Sequence, residues 1–196
     1  MYTKNLLFEE AKLFCDWYVP MNISKQRVKL INRKLVKKIK FLLSKLKQKN
    51  DTFVHRDFHV SNLMMFKNRY GVIDTQDAVV GNKAYDLASL IDDVRFKTSK
   101  KLKKQVFEYY LNINKAELDL KKFKNDFDIL SVLRNLKIIG IFTRLAKRDK
   151  KYNYLRLIPY TWKLIELRIN DNFLLKDLKI FLNKNFSKKI RNRNGN

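Results

Sequence analysis

Apolar residues Val28, Ile31, Leu35, Ile39, Leu42 and Leu46 recur every three or four positions, with lysines and Arg33 between them. That period places one apolar stripe on a helix and leaves the other faces to solvent. The spacing predicts an amphipathic helix, with Ser24 as its N-cap and Asn50-Asp51 as its end. Before it, residues 6–18 read as a helix with an aromatic, partly buried end, stopped near Pro20. Further on, 84–94 reads as a helix turning Leu87, Leu90, Ile91 and Val94 inward. Residues 100–111 read as another, with Leu102, Val106 and Tyr109 or Tyr110 toward the core. Asn114 and Glu117 form the expected capping pair before the next helical region. The segment 123–147 is apolar along one side, through Phe127, Leu130, Leu133, Leu136, Ile139, Ile141 and Leu145. Helices over 155–169 and 174–181 complete a bundle, and 187–196 is expected to be a basic, disordered tail.

The helical period breaks between residues 52 and 74. Phe53-Val54-His55-Arg56-Asp57-Phe58-His59-Val60-Ser61-Asn62 reads as a short buried strand followed by a polar loop. A second strand, a turn over 68–71 and a third strand ending on Asp74 follow, and 78–83 reads as a loop through Gly81. The expected class is therefore mainly α with a small β-hairpin unit, an α+β fold, with no internal repeat and no dividing linker.

Asp57 and Asn62 have the spacing H-x-D-x-x-x-x-N, and Asp74 comes after the next hairpin. An acid, an amide and a second acid on adjacent loops suit phosphoryl transfer. One carboxylate, Asp57, can orient a hydroxyl and accept its proton. The Asn62 amide oxygen and the Asp74 carboxylate can hold magnesium against phosphates. His55 ends a strand in apolar surroundings, so its expected work is structural, a hydrogen bond to the loop or to the neighbourhood of Asp74. His59 either lines a substrate pocket or is structural, and Arg56 either pairs with an anion or faces solvent. Asp77 either adds charge to the pocket or caps the following turn. Asp86, an acid at an apolar helix start, can hold backbone N–H groups of the catalytic loop. Two histidines and one cysteine supply no convincing zinc set. A glycosidase would need the paired carboxylates but neither Asn62 nor a hairpin-spaced Asp74.

Composition changes this picture in three places. The net charge of +25 suits either an anionic partner, nucleic acid or membrane, or lysine-rich solvated faces. The lysines spread along the whole chain and no nucleic-acid-binding motif accompanies them, which favours the second reading, and nucleic acid is not an expected partner. Cys15, the only cysteine, reads as a buried thiol. The longest apolar run, Ile138 to Phe142, is far too short to span a bilayer, and nothing at the start resembles a signal peptide, so the expected location is cytoplasmic.

With these residues in place, the chain resembles the aminoglycoside phosphotransferase family, which shares the protein-kinase-like fold. Within that family it is most similar to the bacterial cell-wall sugar kinases that phosphorylate N-acetylmuramate and N-acetylglucosamine at the anomeric hydroxyl. The resemblance is carried by Val54 through Met64, by Ile73-Asp74-Thr75-Gln76-Asp77-Ala78, and by Gly81 with Ala84-Tyr85-Asp86-Leu87-Ala88-Ser89-Leu90. It continues in Arg134 through Phe142, Arg144 through Asp149, and Phe14-Cys15-Asp16-Trp17-Tyr18, so it covers 6 to about 183.

The resemblance implies that Asp57 is the base, that Asn62 and Asp74 bind magnesium and ATP, and that the substrate is a small sugar. Thr75 departs from the aromatic residue usual after the metal-binding acid, which should loosen packing there. Residues 1–186 correspond to the C-terminal lobe of the kinase-like fold. The β-rich N-terminal lobe, with its phosphate-covering loop and lysine, has no counterpart in the sequence, which contains only four glycines. The expectation is a truncated or inactive chain, or one whose missing lobe comes from elsewhere. The alternative is a non-catalytic basic interaction module, a pseudokinase or a nucleic-acid-binding protein.

Overall fold

The periodic segments of the sequence become helices, and the irregular stretch between them becomes two small antiparallel sheets. A computed structural model describes residues 1–193. Its elements run α1 (Lys4–Leu13), a π-helical turn (Phe14–Tyr18), α2 (Val19–Asn22), α3 (Lys25–Ser44), β1 (Asn50–Val54), a 3-10 turn (Val60–Asn62), β2 (Leu63–Phe66), β3 (Arg69–Val72) and β4 (Val79–Asn82). They continue with α4 (Ala84–Ile91), α5 (Lys100–Ile113), α6 (Leu120–Asp149), a 3-10 turn (Tyr152–Leu157), α7 (Ile158–Ile169), a 3-10 turn (Phe173–Leu175), α8 (Lys176–Asn185) and α9 (Lys188–Arg191). The expected mixture is present: mostly helix, with small antiparallel sheets.

The chain divides into two compact units. One holds Met1–Thr3 with Leu46–Ser131; the other holds Lys4–Lys45 with the described residues from Val132 on. The division falls inside α6, and no change of composition marks it.

In the first unit, β1 pairs with β4 in the register Thr52↔Gly81, Phe53↔Val80 and Val54↔Val79, and β2 pairs with β3. Residues 78–83, expected as a loop, therefore contain a strand. Gly81 hid it, because glycine weakens a strand reading. The glycine is required by Tyr2: a Cβ at position 81 would lie 2.9 Å from the Tyr2 Cβ and 3.1 Å from a Val54 methyl. Tyr2 donates its N–H to the Val80 carbonyl at 2.7 Å, and its ring meets Tyr85 edge-on at 4.8 Å.

The β2–β3 turn is also displaced from its expected place. Lys67 and Asn68 adopt φ of 44° and 62°, the two left-handed residues of a two-residue hairpin loop, while Gly71 lies within β3. Only Val54 of β1 is buried, and Phe53 is exposed, so the strand is less buried than its sequence suggests.

Asp126 holds the entry to this unit. Its carboxylate accepts the Lys47 and Gln48 N–H groups, each as close as 2.8 Å, and the Asn82 side-chain amide at 2.7 Å. On α5 the inward face matches the expected one in part, with Val106 and Tyr110 half-buried. Leu102 and Tyr109 are exposed; Phe107 packs on Phe127 at 4.7 Å and Tyr110 stacks on Phe123 at 5.3 Å. Lys103 is buried on that same face, where its ammonium meets Asp92 at 3.3 Å and the Ile91 carbonyl. The cap before α6 is Asp119, which accepts the Lys122 N–H at 3.0 Å; Asn114 and Glu117 are joined only through backbone.

In the second unit the helical path continues through Pro20 to Asn22. The Val19 N–H bonds to the Phe14 carbonyl, five residues back, and this wide turn leaves Pro20 at a first-turn position where its missing N–H costs nothing. Ser24 sits at the start of α3 without a side-chain cap, and α3 ends at Ser44, short of the expected Asn50-Asp51. Gly140 allows α6 to approach the π-helical turn, since a Cβ there would lie 2.4 Å from the Leu13 carbonyl carbon. Phe14, Tyr18, Trp162 and Phe186 form an aromatic cluster with centroids 4.8–5.9 Å apart.

Part of the expected disordered tail is ordered. Arg191, in α9, is buried against Trp162 at 4.6 Å and donates to Glu166, Asn183 and the Phe186 carbonyl. A satisfied arginine on an aromatic face supplies the order that its basic neighbours cannot. Residues 194–196 of that expected tail lie outside the described residues.

Two outcomes test this packing. Gly140→Ala places a methyl against backbone that cannot move aside, so it should destabilise by at least about 1–3 kcal/mol, read as a lower urea midpoint with unchanged slope. An unshifted midpoint would show that the approach is not close. Burial pushes the Cys15 thiol up to about 12 from its ordinary 9.0. The folded thiol thus stays protonated where the unfolded one ionises; its stabilising contribution is complete below pH 9.0 and disappears as pH rises toward 12. Native protein should resist thiol-labelling reagents near neutral pH and react promptly in denaturant. Prompt labelling of the native form would contradict the burial.

Candidate active site

The loop between β1 and β2 begins with a strained residue. Arg56 has φ of 74°, a left-handed conformation that costs a side-chain-bearing residue roughly 1–2 kcal/mol. The strain is held by Asp86 on α4. Its carboxylate accepts the His55 N–H at 2.6 Å and the Arg56 N–H at 3.1 Å. Hydrogen bonds to a charged acceptor contribute about 1.5–3 kcal/mol each, so the pair outweighs the strain. The Arg56 guanidinium lies 5.4 Å from the Tyr2 ring centroid and donates to the Asp77 carbonyl at 3.3 Å.

The turn at Arg56 presents Asp57. Its backbone carbonyl accepts two hydrogen bonds, from the His59 N–H at 3.0 Å and from the Asn62 side-chain amide at 2.9 Å. Its carboxylate is half-buried and accepts none from the described residues. The main chain around the acid is fixed while the acid itself is left for something else. Asn62 uses its Nδ2 to hold Asp57, and its amide oxygen accepts no hydrogen bond from the described residues.

Asp74 reaches the same cluster through its predecessor. Ile73 donates its N–H to the Asn62 carbonyl at 3.1 Å, and its own carbonyl meets His55 Nε2 at 2.8 Å. His55 is buried, so the ring is the structural link expected of it, and it joins the loop to the residue before Asp74. Asp74 has φ of 69°, and one of its carboxylate oxygens accepts the Gln76 amide at 2.6 Å, which leaves the other open. Asp57, Asn62 and Asp74 thus belong to one hydrogen-bonded loop cluster. Two hard oxygen donors, one amide and one carboxylate, suit magnesium, which is commonly held by one or two protein carboxylates, phosphates and waters.

The other candidates are placed less directly. The His59 ring is buried, which favours support of the loop over substrate contact. Asp77 is exposed in the turn closed by the Ala78 N–H on the Thr75 carbonyl at 3.0 Å; its carboxylate makes no cap there. The sequence reading passed over Asp93. This buried carboxylate accepts the Val60 N–H at 3.1 Å and the Arg95 N–H at 2.8 Å, and so holds the middle of the loop. Two adjacent acids between Ile91 and Val94 were the available signal, because buried acids in an apolar run need partners. The expected helix 84–94 ends at Ile91, which frees Asp93 to face the loop.

Residues 5–120 match the phosphotransferase enzyme family. Three relatives bear the name N-acetylmuramate/N-acetylglucosamine kinase. The protein from Neisseria meningitidis is 32% identical over 81% of this chain and 49% of its own length. That from Caulobacter vibrioides is 34% identical over 67% and 37%, and that from Pseudomonas aeruginosa 33% over 86% and 51%, respectively. The chain spans about half the length of the curated relatives it matches, or less.

The geometry makes Asp86 the support of the start of the loop. Asp86→Ala leaves two backbone donors unpaired beside a strained residue and should cost at least about 2 kcal/mol. Amide exchange at His55 and Arg56 should accelerate with it, whereas Asp86→Asn keeps one acceptor and should lose less. Unchanged exchange in the alanine variant would show that the loop is held by other groups.

Proposed function

Because the chain belongs to the phosphotransferase enzyme family, we propose that its loop cluster is the phosphoryl-transfer site of an ATP-dependent small-molecule kinase. The supporting observation is the state of Asp57: a backbone held by its neighbours and a carboxylate with no partner among the described residues. In this reading the carboxylate orients the acceptor hydroxyl and takes its proton as the oxygen attacks the γ-phosphorus. The new O–P bond forms while the bond to the β–γ bridging oxygen breaks, and ADP departs. Asn62 and Asp74 would hold magnesium, which supplies positive charge to the phosphates. The names of the relatives support an amino sugar as acceptor, N-acetylmuramate or N-acetylglucosamine, phosphorylated at the anomeric hydroxyl. Asp77, exposed near the cluster, is the better placed of the two substrate candidates, and His59 supports the loop.

The chain is read as the C-terminal lobe of a protein-kinase-like fold, in a cytoplasmic setting where ATP is available. Transfer also needs donors on the far side of the phosphates, and a single such donor contributes about 2.7–4 kcal/mol. Residues 1–196 contain no glycine-rich loop. Alone they should therefore turn over far below the ordinary range of about 1–10³ per second.

The test measures phosphorylation of both sugars with magnesium-ATP, by the chain itself and by a version extended with a phosphate-covering lobe. In the extended enzyme Asp57→Asn should lower turnover roughly 10²–10⁴-fold, and Asp74→Ala should abolish nucleotide-dependent magnesium binding. Near-normal turnover in the Asp57 variant would refute the assigned base. Salt-sensitive binding to nucleic acid, with no transfer even in the extended enzyme, would instead favour a basic interaction module.

A further inference from the structure

The lysines are spread evenly along the sequence, but in the helical unit some of them surround exposed apolar side chains. On α3, Lys34, Lys37 and Phe41 stand at i, i+3 and i+7, which puts them on one helix face. On α8, Lys176, Ile180 and Lys184 stand at i, i+4 and i+8, again one face. Lys34, Lys37 and Phe41 of the first and Ile180 and Lys184 of the second line one open depression of ≈ 570 Å³, and Lys176 lines its neighbour. Phe41 and Ile180 also line a neighbouring depression of ≈ 250 Å³, where Phe173 joins them. These three side chains are 46%, 58% and 81% exposed, so the folded chain leaves a contiguous apolar patch in water. Lys34, Lys37, Lys176 and Lys184 around it are exposed, and the half-buried fifth lysine, Lys38, is paired with Asp177, the acid among the described residues that line it.

We propose that this face docks on the surface of an anionic lipid bilayer. Phe173, Ile180 and Phe41 enter the boundary between headgroups and acyl chains, while the lysines lie among the anionic headgroups. Reversible attachment of this kind needs two signals, an apolar insertion and a polybasic patch, and both are present side by side. The charge of +25 adds long-range attraction to a negative surface.

The type of cation argues for lipid over a protein partner. Protein interfaces are depleted in lysine and enriched in arginine, whose planar fork reads fixed carboxylates. Among the described residues that line the two depressions every cation is a lysine, a mobile point charge that suits a fluid array of headgroups. Ile180 argues against single-stranded nucleic acid, which rewards flat aromatic platforms. Among the described residues no helix is long and apolar enough to cross a membrane, so the attachment is peripheral.

The test is co-sedimentation of the full chain with vesicles of phosphatidylcholine, with and without phosphatidylglycerol. Bare electrostatics would also bind so basic a protein, so the decisive comparison is between two triple variants. Phe41→Ser with Phe173→Ser and Ile180→Ser keeps every charge and should weaken binding to anionic vesicles on the order of 100-fold. Lys100→Gln with Lys101→Gln and Lys104→Gln removes exposed charge from α5 and should change it by no more than about threefold. All six positions are exposed, and circular dichroism verifies that both variants fold. Equal binding by the serine variant and the unaltered chain would overturn the proposal, as would an equal loss in both variants. Binding of an RNA oligomer that depends on the patch, without vesicle binding, would also overturn it.

Discussion

Two hydrogen bonds from backbone N–H groups to one carboxylate hold the loop on which the proposed chemistry depends. Asp86 accepts the amides of His55 and Arg56 and thereby keeps Arg56 in a left-handed conformation. Without that conformation the chain would not turn where it does, and Asp57 would face elsewhere. The same device recurs in this unit. Asp93 holds Val60 and Arg95, and Asp126 holds Lys47 and Gln48. A unit with two-stranded sheets offers its backbone few ladder partners, so buried carboxylates provide them.

This arrangement separates support from chemistry. Asp86 and Asp93 have their oxygens committed to main-chain N–H groups, and Asp126 to main-chain N–H groups and side-chain amides. Asp57 sits in the loop that Asp86 and Asp93 hold and Asp74 follows Ile73, which Asn62 and His55 hold, and each acid has at least one carboxylate oxygen without a hydrogen bond among the described residues. Asn62 gives its Nδ2 to the Asp57 carbonyl, and its Oδ1 accepts no hydrogen bond from the described residues. The His55–Ile73 bond then couples the loop of Asp57 to the loop of Asp74, across 18 residues of chain.

Much of this was legible in the sequence, because local rules governed it. The apolar periods of α3 and α6 and the spacing of Asp57, Asn62 and Asp74 need no tertiary information. Neither does an acid at an apolar helix start, which pointed to the contact made by Asp86. What was not legible depended on distant partners. Strand β4 was hidden by Gly81, whose reason is Tyr2, 79 residues earlier in the chain. The inward face of α5 was legible only in part, because its buried position is a lysine, satisfied by Asp92. The order at Arg191 likewise rests on Trp162 and Glu166, which no local pattern in a basic tail reveals. The lysine-ringed apolar patch is of the same kind, since residues 41, 173 and 180 become neighbours only when α3 and α8 pack.

The central claim is that the loops carrying Asp57, Asn62 and Asp74 form the magnesium-nucleotide side of a phosphotransferase. Nuclear magnetic resonance of the labelled chain, titrated with ATP in the presence and absence of magnesium, addresses it directly and does not require turnover. The account predicts magnesium-dependent shifts at the Asn62 side-chain amide and at the backbone amides of Ile73 to Gln76, with α7 and α8 unaffected. Saturating nucleotide that leaves Asn62 and Asp74 unmoved, or that shifts only the lysines of the helical unit, would contradict it.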